Sequence, residues 1–248
     1  MMNNLRRAED ILEYFNQQDL DNDSREFLRY HYRRYEFLFQ KIDKVFAKLS
    51  SASGQRAIKI LDIGPGFQTE IMRLTLPGAV VNTLGFRDLR FHARPKDQHF
   101  EFDLNNAQFP DRWLKLEPHD LVILAEVLEH LYTSPVLVLQ CVARWITSGG
   151  FLILQTPNAC ALHKRIKMLF GKNPFDLIRE TADNPGHFRE YTLSELFCFT
   201  DQAGLRLVDL ATWNYFDNSS WVHKIYNAVS RVMPASLRQG ITMTLQKI

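Results

Sequence analysis

The stretch from Ile58 to Thr69, I-K-I-L-D-I-G-P-G-F-Q-T, constrains the fold of this chain more than any other. A short apolar, β-branched run stops at a glycine turn, and a helix-compatible segment follows it. That is the pattern of a first strand feeding the first helix of an α/β domain. Asp62, Gly64 and Gly66 then fall at the carboxyl edge of the sheet, where loops and helix N-termini leave backbone N–H groups unpaired. The turn is read as the seat of a nucleoside cofactor.

The remaining sequence supports one such domain. At 248 residues the chain is long enough for one well-buried core with appendages and short for two. A hydrophobic fraction of 46% and a charged fraction of 23% exclude a disordered or fibrous chain. A net charge of +2 is too mild to call for nucleic acid. Cys141, Cys160 and Cys198 are odd in number and widely spaced, so they read as reduced packing residues of a cytoplasmic protein. No stretch approaches the length of a transmembrane span, and the N-terminal residues lack a signal-peptide core.

Residues 1–53 are expected to form an N-terminal helical extension. A polar segment through residue 23 precedes a long amphipathic helix capped at Ser24, on which Leu28, Tyr35, Ile42 and Leu49 recur every seven residues. This helix is expected to pack on the sheet, with its surplus aromatics available to cover a cleft or a partner. Ser50 to Gly54 reads as a linker. Residues 54–248 form the main domain, with strands at Ala79–Gly85, His99–Phe102, Asp120–Ala125, Phe151–Gln155 and Leu205–Ala211, and an edge strand at Ile241–Ile248. Ser134 and Pro135 start a helix running to Ile146, and Thr192 with Glu195 makes a capping box for another. The alternation predicts a Rossmann-like α/β fold, a seven-stranded, mostly parallel sheet with helices on both faces. A basic amphipathic insertion at about 159–186 is either a solvated helix or a substrate lid that favours anions. Val222, Ile225, Val229 and Val232 stripe a further helix, flanked by Trp221 and Lys224, that suits either packing or peripheral contact with a lipid surface.

These motifs, in this order, resemble the class I S-adenosylmethionine-dependent methyltransferases. Asp62, Gly64 and Gly66 match their D-x-G-x-G-x-G turn, with Gln68 in place of the third glycine. The dinucleotide fingerprint G-x-G-x-x-G is not met, since Thr69 stands at its last glycine. The resemblance implies that Asp62, Gly64, Gly66, Gln68, Asp103, Leu104 and Glu126 contact the cofactor. An acid at the end of the second strand usually takes the ribose hydroxyls. Gly85 stands at that position, and Asp88 is the nearest acid. D-L-V-I-L-A-E-V-L-E-H-L matches the fourth-strand motif, and G-H-F-R-E-Y-T-L-S-E-L places His187, Arg189 and Tyr191 at the acceptor. The alternative for the last cluster is that Arg189 is a surface charge and Tyr191 a core residue.

If Glu126 to His130 is helical, Glu126, Glu129 and His130 share one face. With His187 they form a candidate site for Mg²⁺ or Mn²⁺, similar to the E-x-x-E-H of small-RNA 2′-O-methyltransferases and ubiquinone-pathway O-methyltransferases, where the ion would activate the acceptor hydroxyl. The alternatives are a metal-free His130, with Glu129, as the catalytic group, and a purely structural pair. The function expected is O-methylation of a small or carrier-linked acceptor such as a sugar hydroxyl. Two rival readings are an RNA 2′-O-methyltransferase, which would bind RNA with steep salt dependence, and a scaffold protein that binds cofactor without turnover.

Overall fold

The computed structural model describes residues 5–54, 56–86, 96–181, 185–214 and 233–248. Asp88 and the stripe from Val222 to Val232 lie outside them. Two helices lead, α1 (Ala8–Asn16) and α2 (Asn22–Ser53), followed by β1 (Lys59–Ile63), α3 (Phe67–Thr75), β2 (Val80–Gly85), β3 (His99–Glu101) and β4 (His119–Ala125). Then come α4 (Pro135–Arg144), β5 (Ile146–Pro157), α5 (Leu162–Leu169), α6 (Leu193–Gln202), β6 (Leu205–Trp213) and β7 (Gly240–Lys247). Among the described residues the strands form one seven-stranded sheet in the order β3-β2-β1-β4-β5-β7-β6. β1 to β5 pair in parallel, whereas β7 is antiparallel to both its neighbours.

β7 is therefore not the edge strand that its place at the end of the chain suggests. It lies between β5 and β6, and its first six residues are buried, which suits the apolar and threonine side chains that alternate along it. β6 takes the edge, exposed at Arg206, Leu207 and Val208 and half-buried in the three residues after them.

The long helix packs on the sheet as expected, but its cap lies one turn earlier. Asp21 accepts from the Ser24 backbone N–H at 2.7 Å and from the Ser24 hydroxyl at 2.9 Å, so Ser24 belongs to the first turn. The helix also runs through the predicted linker to Ser53, and Gly54 ends it at φ +63°. Leu28, Tyr35, Leu38, Phe39 and Ile42 are fully buried in one cluster with Ile60, Ile71, Leu121, Ile123 and Ile153. Each such side chain stabilises the fold by about 1.5–3 kcal/mol, so α2 shares the core of the sheet. The opposite face of the sheet is sealed by α4 and α6 through Val138, Leu139, Val142 and Leu196.

β5 begins at Ile146, five residues before the expected start, and its register against β4 slips between His119 and Leu121. Cys141 is buried, but Cys198 is exposed and accepts from Gln202, so it is not a packing residue. Among the described residues, no helix is long and apolar enough to cross a membrane.

Candidate active site

Strand order reverses between β1 and β4, and the loops that leave these two strands part to opposite sides there. They also touch. A Cβ on Gly64, which sits at φ +75°, would lie 2.7 Å from Val127 Cγ2. Only glycine admits that approach together with that backbone conformation. Asp62 lies beneath the turn with no exposure and accepts from the Thr69 hydroxyl at 2.5 Å. Thr69 Oγ1 in turn accepts from the Gly66 N–H at 2.9 Å, which fixes the start of α3. Burial pushes the Asp62 carboxyl up to about 7, against the pull of its Thr69 bond.

Gln68, standing where a third glycine is usual, folds back and donates from Nε2 to the Gly64 carbonyl at 3.1 Å. It is only 3% exposed, so its amide closes the turn from within. Gly85 explains why the second strand ends without an acid. It has φ +152°, a backbone conformation that L side chains rarely adopt, and it packs against Pro65 and Gly64 of the β1 turn. Asp103 caps the short turn Leu104–Gln108, with Oδ1 accepting from the backbone and side-chain amides of Asn105 at 2.9 and 3.1 Å. Leu104 is buried beside it.

The segment after β4 is not the helix on which the four-ligand site depends. Glu126 adopts φ +56°, the sole positive φ of a non-glycine among the described residues, and only Leu128–His130 form a 3-10 turn. A side chain held there costs about 1–3 kcal/mol and persists where its surroundings dictate it. The Glu126 N–H donates to the Gln155 carbonyl at 2.8 Å, and the chain turns sharply from there. The consequence is a smaller cluster. Glu129, His130 and His187 each offer one atom within 4.8 Å of the others, without Glu126.

Glu129 has no exposure. Its Oε2 accepts from Thr156 at 2.9 Å, and its backbone carbonyl accepts from Phe188 and Arg189 at 2.8 and 3.3 Å. It thus ties the 187–189 stretch to β4. Burial raises the Glu126 carboxyl to about 7 and holds Glu129 well above the carboxylate range, with Glu126 adding repulsion. Two adjacent acids in this environment favour holding a proton between them.

Two cations here escaped the sequence reading. Arg34, 2% exposed on the inner face of α2, donates to Gln155 at 3.3 Å and favours the ionised forms of Asp62, Glu126 and Glu129. Lys164, from the basic insertion, is 6% exposed, pairs with Glu190 and donates to the Asn158 carbonyl at 3.3 Å. Burial lowers its ammonium to about 8. A signal for Arg34 was present, since it lies three residues after His31 and four before Leu38 on the apolar stripe.

His130 Nδ1 lies 2.8 Å from the Gly186 carbonyl. A carbonyl only accepts, so Nδ1 carries the hydrogen and Nε2 keeps its lone pair. Burial lowers both His130 and His187, the latter to about 4, so both rings are neutral near pH 7. Their rings meet edge to face at 4.7 Å. Beside His187 opens a cavity of about 760 Å³, lined by Phe175, Leu177, Ile178, Phe188, Arg189 and Glu190 among others. Arg189 is held by Glu195 at 2.5 Å. Tyr191 does not line this cavity. It is 1% exposed, its backbone bridges to Asn158, and its ring packs on Phe199, so it is the core residue of the two alternatives.

A family model described as a methyltransferase domain matches residues 30–210, well over half of the chain. The chain belongs to this family. The fold agrees with that of S-adenosylmethionine-dependent methyltransferases of known structure. The magnesium protoporphyrin IX methyltransferase of Synechocystis PCC 6803, solved with bound S-adenosylhomocysteine, aligns at TM-score 0.51 and 13% identity over 97% of this chain and 94% of that one. An S-adenosylmethionine-dependent methyltransferase from Archaeoglobus fulgidus aligns at TM-score 0.50 and 17% identity over 86% of this chain and all of that one. One from Mesorhizobium loti reaches 0.53 at 11% identity, over 77% and 91%. No curated protein matches in sequence. This methyltransferase therefore shares a fold with these proteins, and its acceptor has to be argued from its own residues. The family match begins inside α2, at residue 30, so it includes the part of that helix that carries Arg34.

Proposed function

We propose that this methyltransferase transfers the methyl group of S-adenosylmethionine to a hydroxyl of a small or carrier-linked acceptor, such as a sugar, with His130 as the base. The observation that carries the reading is the fixed tautomer of His130, whose free Nε2 lone pair stands next to the His187 wall of the cavity. When bound, the cofactor supplies the methyl on a sulfonium leaving group. The residues fit it. Gly64 and Gly66 offer backbone without side chains, and Glu126 and Asp62 each keep a buried oxygen without a hydrogen-bond partner among the described residues. Gly64, Gly66 and Glu126 would hold the amino-acid end, and Asp103 and Leu104 the adenine. Gln68 supports the turn.

The chain contributes mainly position. Holding acceptor and donor in line is worth roughly 7–11 kcal/mol, whereas a base adds about 10² to 10⁴ in rate. Arg189 and the apolar wall orient the acceptor, and Nε2 of His130 takes the hydroxyl proton. The test is transfer of radiolabelled methyl to glycan and lipid-linked acceptors, followed by mild base. A base-stable methyl ether is expected, and a base-labile ester would refute a hydroxyl acceptor.

A second reading has its own observation. In the Glu129, His130 and His187 cluster, the second ring nitrogen of His130 is tied to a carbonyl, as is usual for metal-bound imidazoles. Mg²⁺ or Mn²⁺ held there would activate the hydroxyl, and an RNA 2′-hydroxyl is an acceptor consistent with that chemistry. Titrating Mn²⁺ into the protein, with and without S-adenosylhomocysteine, tests it. Heat of binding that vanishes in His187→Ala supports the ion, and no heat removes it.

A further inference from the structure

We propose that residues 162–181 dock this methyltransferase on an anionic membrane surface, with the mouth of the acceptor cavity turned toward the lipid. Of the eighteen large apolar side chains exposed among the described residues, seven fall in this twenty-residue segment. Scattered exposed apolar residues are normal, but a concentration of this kind marks an interaction surface. On α5, Ile166 shares a face with Leu169 and Phe170, which lie three and four residues on. Leu169 and Phe170 are 83% and 77% exposed. The inward side of α5 carries Lys164, fixed by Glu190 and Asn158, so the helix is anchored and its apolar side is held outward.

The charges around that face select the occupant. Arg165 and Lys167 flank it and Lys172 follows, all exposed, as does Arg179 further on. Against these four cations the segment carries two exposed acids, Asp176 and Glu180, so the exposed charge of the face is positive. An apolar face bordered by cations on flexible stems is suited to an interface of acyl chains and anionic headgroups. Two copies of the chain meeting through this face would set Arg165 and Lys167 against their own kind, which disfavours self-association.

The surface is also continuous with the acceptor cavity. Leu177 and Ile178, 87% and 57% exposed, line that cavity together with His187. A carrier-linked acceptor would thus reach His130 without its apolar part leaving the lipid. This use of the surface rests on the function proposed above, whereas the docking itself does not.

The experiment is co-sedimentation of the full chain with vesicles of phosphatidylcholine alone and of equimolar phosphatidylcholine and phosphatidylglycerol. The wild type is expected to sediment with the anionic vesicles only, and to be released by salt. Leu169→Asp combined with Phe170→Asp should weaken binding by about tenfold or more, with melting temperature and S-adenosylhomocysteine affinity unchanged because both side chains lie outside the fold. Lys167→Glu with Lys172→Glu should do the same. Equal binding to neutral vesicles, no binding to anionic ones, or binding that survives both double variants overturns the proposal. So does a wild-type dimer that ignores vesicles and that the aspartates dissociate. Should vesicle binding hold while no methyl transfer is found, the catalytic reading falls and the docking surface stands.

Discussion

Replacing Asp62 by Asn should remove a pH dependence of stability that the wild type carries. The carboxyl lies sealed under the glycine turn with no exposure, and burial lifts it from 3.8 to about 7. A raised acid is protonated in the folded chain at pH values where the unfolded chain has already released the proton. Its stabilisation is full below 3.8 and is lost as pH rises through about 7. Each pH unit in that window corresponds to about 1.36 kcal/mol. From about pH 5 to about pH 8 the wild type should thus lose about 2.7 kcal/mol that Asp62→Asn retains. The Asn amide also puts a donor where Oδ1 has no hydrogen-bond partner among the described residues, at a cost of about 1–3 kcal/mol that does not vary with pH. The difference in slope between the two proteins is therefore the readout, measured by urea unfolding at the two pH values. Parallel stabilities would mean that Asp62 is ionised in the fold throughout, and the account of the turn would be wrong.

Arg34→Met should cost about 1–3 kcal/mol, because it leaves the buried Gln155 side-chain oxygen without the Arg34 donor; urea unfolding at neutral pH reads this, and an unchanged stability would contradict it. Gly64→Ala should destabilise by about 1–3 kcal/mol through the φ of +75° and the Val127 contact, with partial recovery in the double variant with Val127→Ala. A bulky residue at Gly64 therefore tests strain as well as cofactor approach. Gly66→Val has no positive φ to strain, but its Cβ would meet the buried Gln68 amide at 2.9 Å; it should weaken S-adenosylhomocysteine binding by more than Gln68→Ala, which loses the same turn contact without adding bulk. His130→Gln should lower the transfer rate by about 10² to 10⁴ while cofactor affinity holds. With burial depressing the wild-type imidazole, the rate should stay level as pH falls past 6.5 and drop only below it.

The fold was legible where periodicity is set locally. The β1 run, the Thr192 and Glu195 capping box and the seven-residue repeat of α2 each depend on neighbours a few residues away, and each is found in the structure. The place of β7 between β5 and β6 was not legible, because strand order depends on pairings that join residues far apart in sequence. The E-V-L-E-H segment shows the same limit at the site. Its spacing suits a helix, but the Glu126 N–H pairs with Gln155 and turns the chain, leaving His130 and Glu129 to meet His187 without Glu126. Arg34 lay on the apolar stripe of α2 and Lys164 in the basic insertion, but nothing in their spacing says what they pair with. Only the fold shows that buried carboxyls draw both inward.

Calorimetric titration of S-adenosylhomocysteine into the purified protein tests the central claim most directly. The turn at Gly64 to Gly66 after β1, with Glu126 after the neighbouring β4 and Asp103 after β3, predicts one molecule bound per chain and a raised melting temperature. No heat of binding and an unshifted melting temperature at saturating ligand would contradict the cofactor site and the methyl transfer built on it.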